Sequence, residues 1–193
     1  MERQYRALTI RELGAGAGFR RPTQPQAAQV SVESPAIDVM TDLRRTTPAT
    51  IRPQAPLAGA NQFMITRGVR LLLVADERET VLGVITATDI LGERAMLVAT
   101  ERGLRRDELS VADIMVPAER VEGVALADVA AARVGHVLET LRRAGRQHVL
   151  VVDAERKVCG IFSLTQIARQ LGVLVTTGGA VARTFSEIEA AIR

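Results

Sequence analysis

Two hydroxyls and a carboxylate crowd the short segment GVITATDIL that starts at Gly83: Thr86, Thr88 and Asp89. The β-branched run ahead of Thr86 predicts a strand, and the segment after it predicts a helix starting near Thr88. Hydroxyls and unpaired backbone N–H groups then converge at a helix N-terminus, where anionic phosphate is favoured. A carboxylate on the first turn can accept both hydroxyls of a ribose while its neighbours contact phosphate. A plainer role fits the same residues equally well: Thr86 or Thr88 caps the helix, and Asp89 complements its dipole. The motif alone leaves both open.

The segment occurs twice. GIFSLTQIA from Gly160 repeats it, with Ser163, Thr165 and Gln166 in the second copy. One offset of 77 residues matches Gly68 with Gly145, Asp76 with Asp153, Gly83 with Gly160, Thr86 with Ser163 and Ile90 with Ile167. Upstream, DVMT from Asp38 matches DIMV from Asp113 at an offset of 75. Two similar half-modules packed together leave a cleft between them, and function is to be sought there. Basic side chains that can face phosphate stand at the start of the central strand of each copy, Arg70 in the first and Arg146 with His148 in the second. Solvated strand-end residues are their alternative reading. The copies differ where it matters, because Gln166 stands in place of Asp89. A neutral amide lacks the charge-assisted strength of a carboxylate, so the two clefts are expected to be unequal. His136, opposite the apolar stripe of its helix, is assigned no chemistry.

Each copy spells helix, strand, helix, strand, strand, helix. Ser34 is expected to cap a first helix with Pro35 at its first position, followed by a short strand near Thr50. Pro56 opens a helix that presents Leu57, Ala60 and Met64 on one face and stops at Gly68. RLLLVAD and VLGVIT then form a hairpin of mostly buried strands around the turn ERET. In the second copy Ser110 and Asp113 have the spacing of a capping box, and VEGVAL is the strand. Val134, Val137, Leu138 and Leu141 give the next helix an apolar stripe that ends at Gly145, before the hairpin HVLVVD and KVCGIFS. Leu126 to Arg133 are expected to add a helical turn, and Thr184 with Glu187 to cap a terminal helix.

The 193 residues, about half of them apolar, suffice for a buried core. No apolar run is long enough to span a bilayer, and MERQYRALTIREL carries charges where a secretory signal would be apolar, so a cytoplasmic protein is expected. A formal charge of +3 with scattered basic residues and 3% aromatics does not suit nucleic-acid binding. Lys157 is the one lysine. Cys159 in VCGIF reads as a small core hydrophobe. There is no metal-ligand spacing and no nucleophile, base and acid in a recognisable order, so neither catalysis nor a metal is expected. The GAGAG run from Gly14 lacks the preceding strand and following helix that a dinucleotide loop needs. Residues 1 to 33, rich in Gly, Pro, Ala and Gln, are expected to form a flexible arm dispensable for folding.

The element order, the doubled spacing, GVITATDIL and GIFSLTQIA, DVM and DIM at the repeat starts, and GRQHVLVVD before the second hairpin together resemble the cystathionine-β-synthase (CBS) domain in tandem form. The resemblance covers residues 34 to 173. It implies an α/β (α+β) fold of two pseudo-symmetric units, each a three-stranded mixed sheet with flanking helices: a first CBS domain over 34–105, a second over 106–173, and a C-terminal extension over 174–193. It further implies binding of an adenine-containing ligand, AMP, ADP or ATP foremost, and a homodimer formed through helical faces. The expected function is a stand-alone regulatory module, not an enzyme, that senses the nucleotide and signals to a partner protein. The competing expectation is a ligand-free dimerisation or scaffold protein with degenerate clefts. Gln166 favours the latter, as do Leu73 and Leu150 where the family often has proline.

Overall fold

Short strands and one-turn helices dominate the start of each repeat, and their pairing decides the architecture. The computed structural model describes residues 30–173, 185–188 and 190. The chain runs through a 3-10 turn (Ala36–Val39), β1 (Thr41–Asp42), β2 (Thr50–Ile51), α1 (Leu57–Arg67), β3 (Leu71–Ala75), β4 (Val81–Thr86), α2 (Ala87–Leu91) and α3 (Glu93–Arg102). The second repeat follows with α4 (Val111–Ile114), β5 (Val116–Pro117), β6 (Gly123–Ala125), α5 (Leu126–Ala131), α6 (Val134–Ala144), β7 (His148–Val152), β8 (Val158–Ser163) and α7 (Leu164–Gln170). A helical stretch at Phe185–Ile188 follows, and the expected Thr184 cap lies outside the described residues.

Among the described residues there are two sheets, of four strands each rather than the expected three. Their orders are β2-β3-β4-β5 and β1-β8-β7-β6. The fourth strand of each is supplied by the other repeat: β1 pairs antiparallel with β8, and β5 pairs antiparallel with β4. Gly83 is what admits β5, because a Cβ there would run into the Val116 carbonyl. The turns that precede these strands cross over as well. Ala36, Val39 and Met40 belong to the second unit's core around Phe162 and Leu141. Val111 and Ile114 belong to the first unit's core around Leu72 and Ile85. Sequence similarity locates the repeats but cannot show this exchange, since either partner satisfies the same apolar pattern.

The hairpins explain their uninterrupted apolar runs. Successive strand residues face opposite sides. Leu72 and Val74 of β3 point to the helix-covered core, whereas Leu71 and Leu73, with Val84 of β4, point to the other sheet, where they meet Leu150 of β7. All five β3 residues are buried. The two repeats match in detail. Asp76 accepts from the N–H groups of Arg78 and Thr80 at 2.9 and 2.8 Å, and Asp153 from those of Glu155 and Lys157 at 3.0 and 2.9 Å. Both hairpins carry a register shift at the same place, between Val74 and Ala75 and between Val151 and Val152. Gly68 and Gly145 end α1 and α6 in the left-handed conformation that favours glycine.

Several boundaries differ from the sequence reading. Ser34 does not cap a helix: Pro35 takes the N-cap of the 3-10 turn, and the Ser34 hydroxyl accepts from the Ser31 N–H at 3.0 Å. The strand expected over VEGVAL shortens to Gly123–Ala125, because Leu126 already begins α5, the expected extra turn. Residues 30–33 pack against the second unit. Val30 and Val32 touch its core, and the Val32 carbonyl accepts from the Gly135 N–H at 2.9 Å. Cys159 is buried, and burial pushes its thiol above the ordinary value, as suits a core residue.

Candidate functional site

Register brings the two motifs to one end of the molecule. Leu71 pairs with Thr86 and His148 with Ser163, so each hydroxyl stands beside the first residue of a central strand. A symmetric pair of backbone bonds fixes both strand-to-helix junctions: Ala87 N–H donates to the Arg70 carbonyl at 2.9 Å, and Leu164 N–H to the Gln147 carbonyl at 2.8 Å. Between the sheets at this end lies a cleft of about 300 Å³. Thr86, Thr88 and Asp89 line it from the first repeat. Gly145, Arg146, Gln147 and His148 line it from the second, with Val116, Val121 and Glu122 completing the wall. Polar groups of two chain segments, distant in sequence, thus converge on a small apolar-walled space, the usual form of a small-molecule site.

Within the cleft the plainer reading of Thr86 is realised. It is the N-cap of α2, which begins at Ala87, next to the expected start, and its hydroxyl and N–H both donate to Asp89 Oδ2 at 2.6 and 2.8 Å. The Asp89 N–H donates back to the Thr86 hydroxyl at 3.3 Å. The other carboxylate oxygen, Oδ1, accepts from Arg94 at 3.3 Å. Capping does not remove these groups from the cleft wall, so the same residues cap α2 and line the cleft. Thr88 is exposed and makes no competing side-chain bond among those described.

His148 is half-buried in the opposite wall. Burial first, and the nearby Arg70 guanidinium second, hold its imidazole below the ordinary value, at about 4, while Asp89 pulls the other way. At neutral pH it is therefore uncharged, able to donate from one ring nitrogen and accept at the other. Arg70 is not among the residues lining the cleft, although it lies close enough to His148 to act on its charge. Arg146 is exposed at the rim and pairs with Glu122 at 3.0 Å.

In the second copy Gln166 has turned its amide oxygen to Thr41, whose hydroxyl donates to it at 3.0 Å. Thr41 is on β1, the strand supplied by the first repeat. Ser163 precedes α7 without a side-chain cap bond, and Thr165 is half-buried beside it. His136 is exposed on α6, where its Nδ1 accepts from the Arg133 N–H at 3.0 Å. Two residues of the site escaped sequence reasoning. Glu122 lies in a stretch without any motif. Arg94 stands five residues past Asp89, a spacing that no single helix brings together; it meets Asp89 because the chain bends at Gly92 between α2 and α3.

Two sheets exchanging their edge strands, with a shared cleft at the hydroxyl-bearing junctions, define a paired repeat module. A family model described as the CBS domain matches residues 36–95 and 129–172, more than half of the chain, and the chain belongs to the CBS domain family. Solved structures share the fold. An uncharacterised conserved protein from Pyrococcus horikoshii is 23% identical with a TM-score of 0.57, the match covering 77% of this chain and 100% of that one. The CBS domain pair of protein MJ0100, in complex with 5′-methylthioadenosine and S-adenosyl-L-methionine, is 21% identical with a TM-score of 0.51, covering 72% and 96%. A CBS domain protein, TA0289, from Thermoplasma acidophilum is 17% identical with a TM-score of 0.52, covering 79% and 76%. No curated protein sequence matches the chain. Among the described residues, no helix is long and apolar enough to cross a membrane.

Proposed function

We propose that the chain is a non-catalytic regulatory module that binds an adenine nucleotide, AMP, ADP or ATP, in the cleft between its CBS units and passes the bound state to a partner protein. One observation carries the reading: Thr86, Thr88 and Asp89 of one repeat face Arg146 and His148 of the other across a single cleft. The carboxylate and hydroxyls suit ribose and the helix start suits phosphate, while the apolar wall of Leu71, Val84, Val116 and Val121 suits a base. The two adenosine derivatives bound by the MJ0100 pair support the same ligand class. The Ser163 and Gln166 side is the weaker, since Gln166 brings no charge and its oxygen is already engaged by Thr41.

The partner surface we assign to helical faces, with a second copy of the chain as its first occupant. Leu91 on α2 and Met96 and Leu97 on α3 are 62%, 63% and 59% exposed, more apolar surface than a monomer needs to show. A reducing, cytoplasmic setting suits a lone buried cysteine.

The scaffold reading has its own observation, the prior engagement of both Asp89 oxygens by Thr86 and Arg94. A thermal-shift screen separates the two. A nucleotide at a hundredfold excess over its Kd adds about 2.7 kcal/mol, which raises the melting temperature by roughly 5–10 °C for a chain of this size. No rise with AMP, ADP or ATP leaves the scaffold reading in its place.

A further inference from the structure

We propose that Arg94 is a positioning residue of the cleft: it holds the Asp89 oxygen that a ribose diol has to take, so that binding of the diol releases helix α3. The inference rests on the nucleotide reading of the cleft.

A carboxylate offers about four acceptor sites. Three are in use at Asp89: Oδ2 accepts from the N–H and the hydroxyl of Thr86, and Oδ1 accepts from Arg94. A vicinal diol that donates both hydroxyls needs two sites, and one remains. One donor has to leave. The Thr86 bonds are short, 2.6 and 2.8 Å, and belong to the cap of α2 itself. The Arg94 bond is longer, 3.3 Å, from a side chain 40% exposed, so water can take over its guanidinium. Arg94 is the donor displaced. It does not line the cleft but reaches Asp89 from α3, and so acts through that carboxylate.

Its displacement has a mechanical consequence. Arg94 also donates to the Met115 carbonyl at 3.3 Å, so one side chain fastens the start of α3 to both α2 and the C-cap of α4, just ahead of the exchanged strand β5. Ala95 and Ala99 seat the inner face of α3 in the first unit's core, and the outer face carries Met96 and Leu97. Diol occupancy at Asp89 therefore loosens the helix that bears the exposed apolar residues.

The test compares AMP with 2′-deoxy-AMP on the full chain and on Arg94→Gln. With the charged guanidinium replaced by a shorter, neutral amide, the variant should bind AMP about three- to tenfold tighter, the order set by one half-exposed charge-assisted hydrogen bond, and bind 2′-deoxy-AMP as wild type does. A merely structural role for Arg94 would move both ligands alike. In hydrogen exchange, AMP should speed the amides of residues 93–102 in wild type towards the rate that Arg94→Gln shows without ligand. Equal changes for the two nucleotides, no gain for AMP, or slower α3 exchange on AMP binding would overturn the proposal. AMP binding that depends on Asp89 but gains nothing from Arg94→Gln overturns this inference alone. Absence of AMP binding by both proteins overturns this inference, and the same result with ADP and ATP removes the nucleotide reading as well.

Discussion

The Thr86 hydroxyl and backbone N–H both donate to one oxygen of Asp89, at 2.6 and 2.8 Å, closing a capping box on the wall of the cleft. Asp89 thus closes the cap of α2 and lines the cleft, and a loss of stability has to be separated from a loss of binding. Replacing it with alanine should cost about 1 kcal/mol, roughly 2–4 °C in melting temperature, with no ligand present. Ser110 and Asp113 form the same box at α4, with Asp113 lining no part of the cleft. The Ser110 hydroxyl and N–H hold the Asp113 carboxyl below its ordinary value, with Arg102 assisting, so that box is whole at neutral pH and weakens as acid protonates it. Asp113→Ala should show a similar thermal loss while nucleotide binding stays in place. If Asp113→Ala abolishes binding too, the effect of Asp89→Ala is a matter of folding.

His148 gives the module a dependence on mild acid. Its imidazole titrates near 4 in the fold against an ordinary 6.5, so the unfolded chain takes up a proton that the folded chain refuses. Stability from this group is whole above pH 6.5 and is lost as the pH falls through 4. His148→Gln keeps a polar side chain that does not titrate. Between pH 6.5 and about 4 the melting temperature of wild type should fall more steeply than that of the variant. Parallel curves would contradict the assignment.

The end of the N-terminal segment holds onto the second unit through Val30, Val32 and the Arg133–Glu33 pair. Deleting residues 1–33 should therefore cost more than deleting 1–29. Two partly buried valines are worth about 2 kcal/mol, roughly 4–8 °C. Equal melting temperatures for the two truncations would show that the valine contacts contribute nothing.

The repeat spacing made the fold legible, because several anchors shared by the two copies have a backbone task. Gly68 and Gly145 end helices in the left-handed region, and Asp76 and Asp153 tie the hairpin turns. The strand exchange was not legible, since β1 and β5 are two residues each and their apolar flanks suit either sheet. Neither was α3, whose polar sequence buries only Ala95 and Ala99. Thr86, Thr88 and Asp89 line one cleft together with Arg146 and His148, which the sequence grouped with the other copy. Arg70 and Gln166 fall elsewhere, one beside His148 and one on Thr41, because side-chain direction at a strand start or helix start is set by packing that a motif does not encode.

The central claim is that the cleft of Thr86 and Asp89 binds an adenine nucleotide and that the Ser163 and Gln166 side contributes little. Calorimetric titration of AMP, ADP and ATP into wild type, Asp89→Ala and Gln166→Ala tests it directly. A hydrogen bond to an ionised group is worth about 1.5–3 kcal/mol, so Asp89→Ala should bind about ten- to a hundredfold more weakly. Gln166→Ala should stay much closer to wild type, because its neutral amide starts with weaker bonds and is already engaged by Thr41. Wild type that binds none of the three nucleotides, or Asp89→Ala that binds as tightly as wild type, would contradict the account.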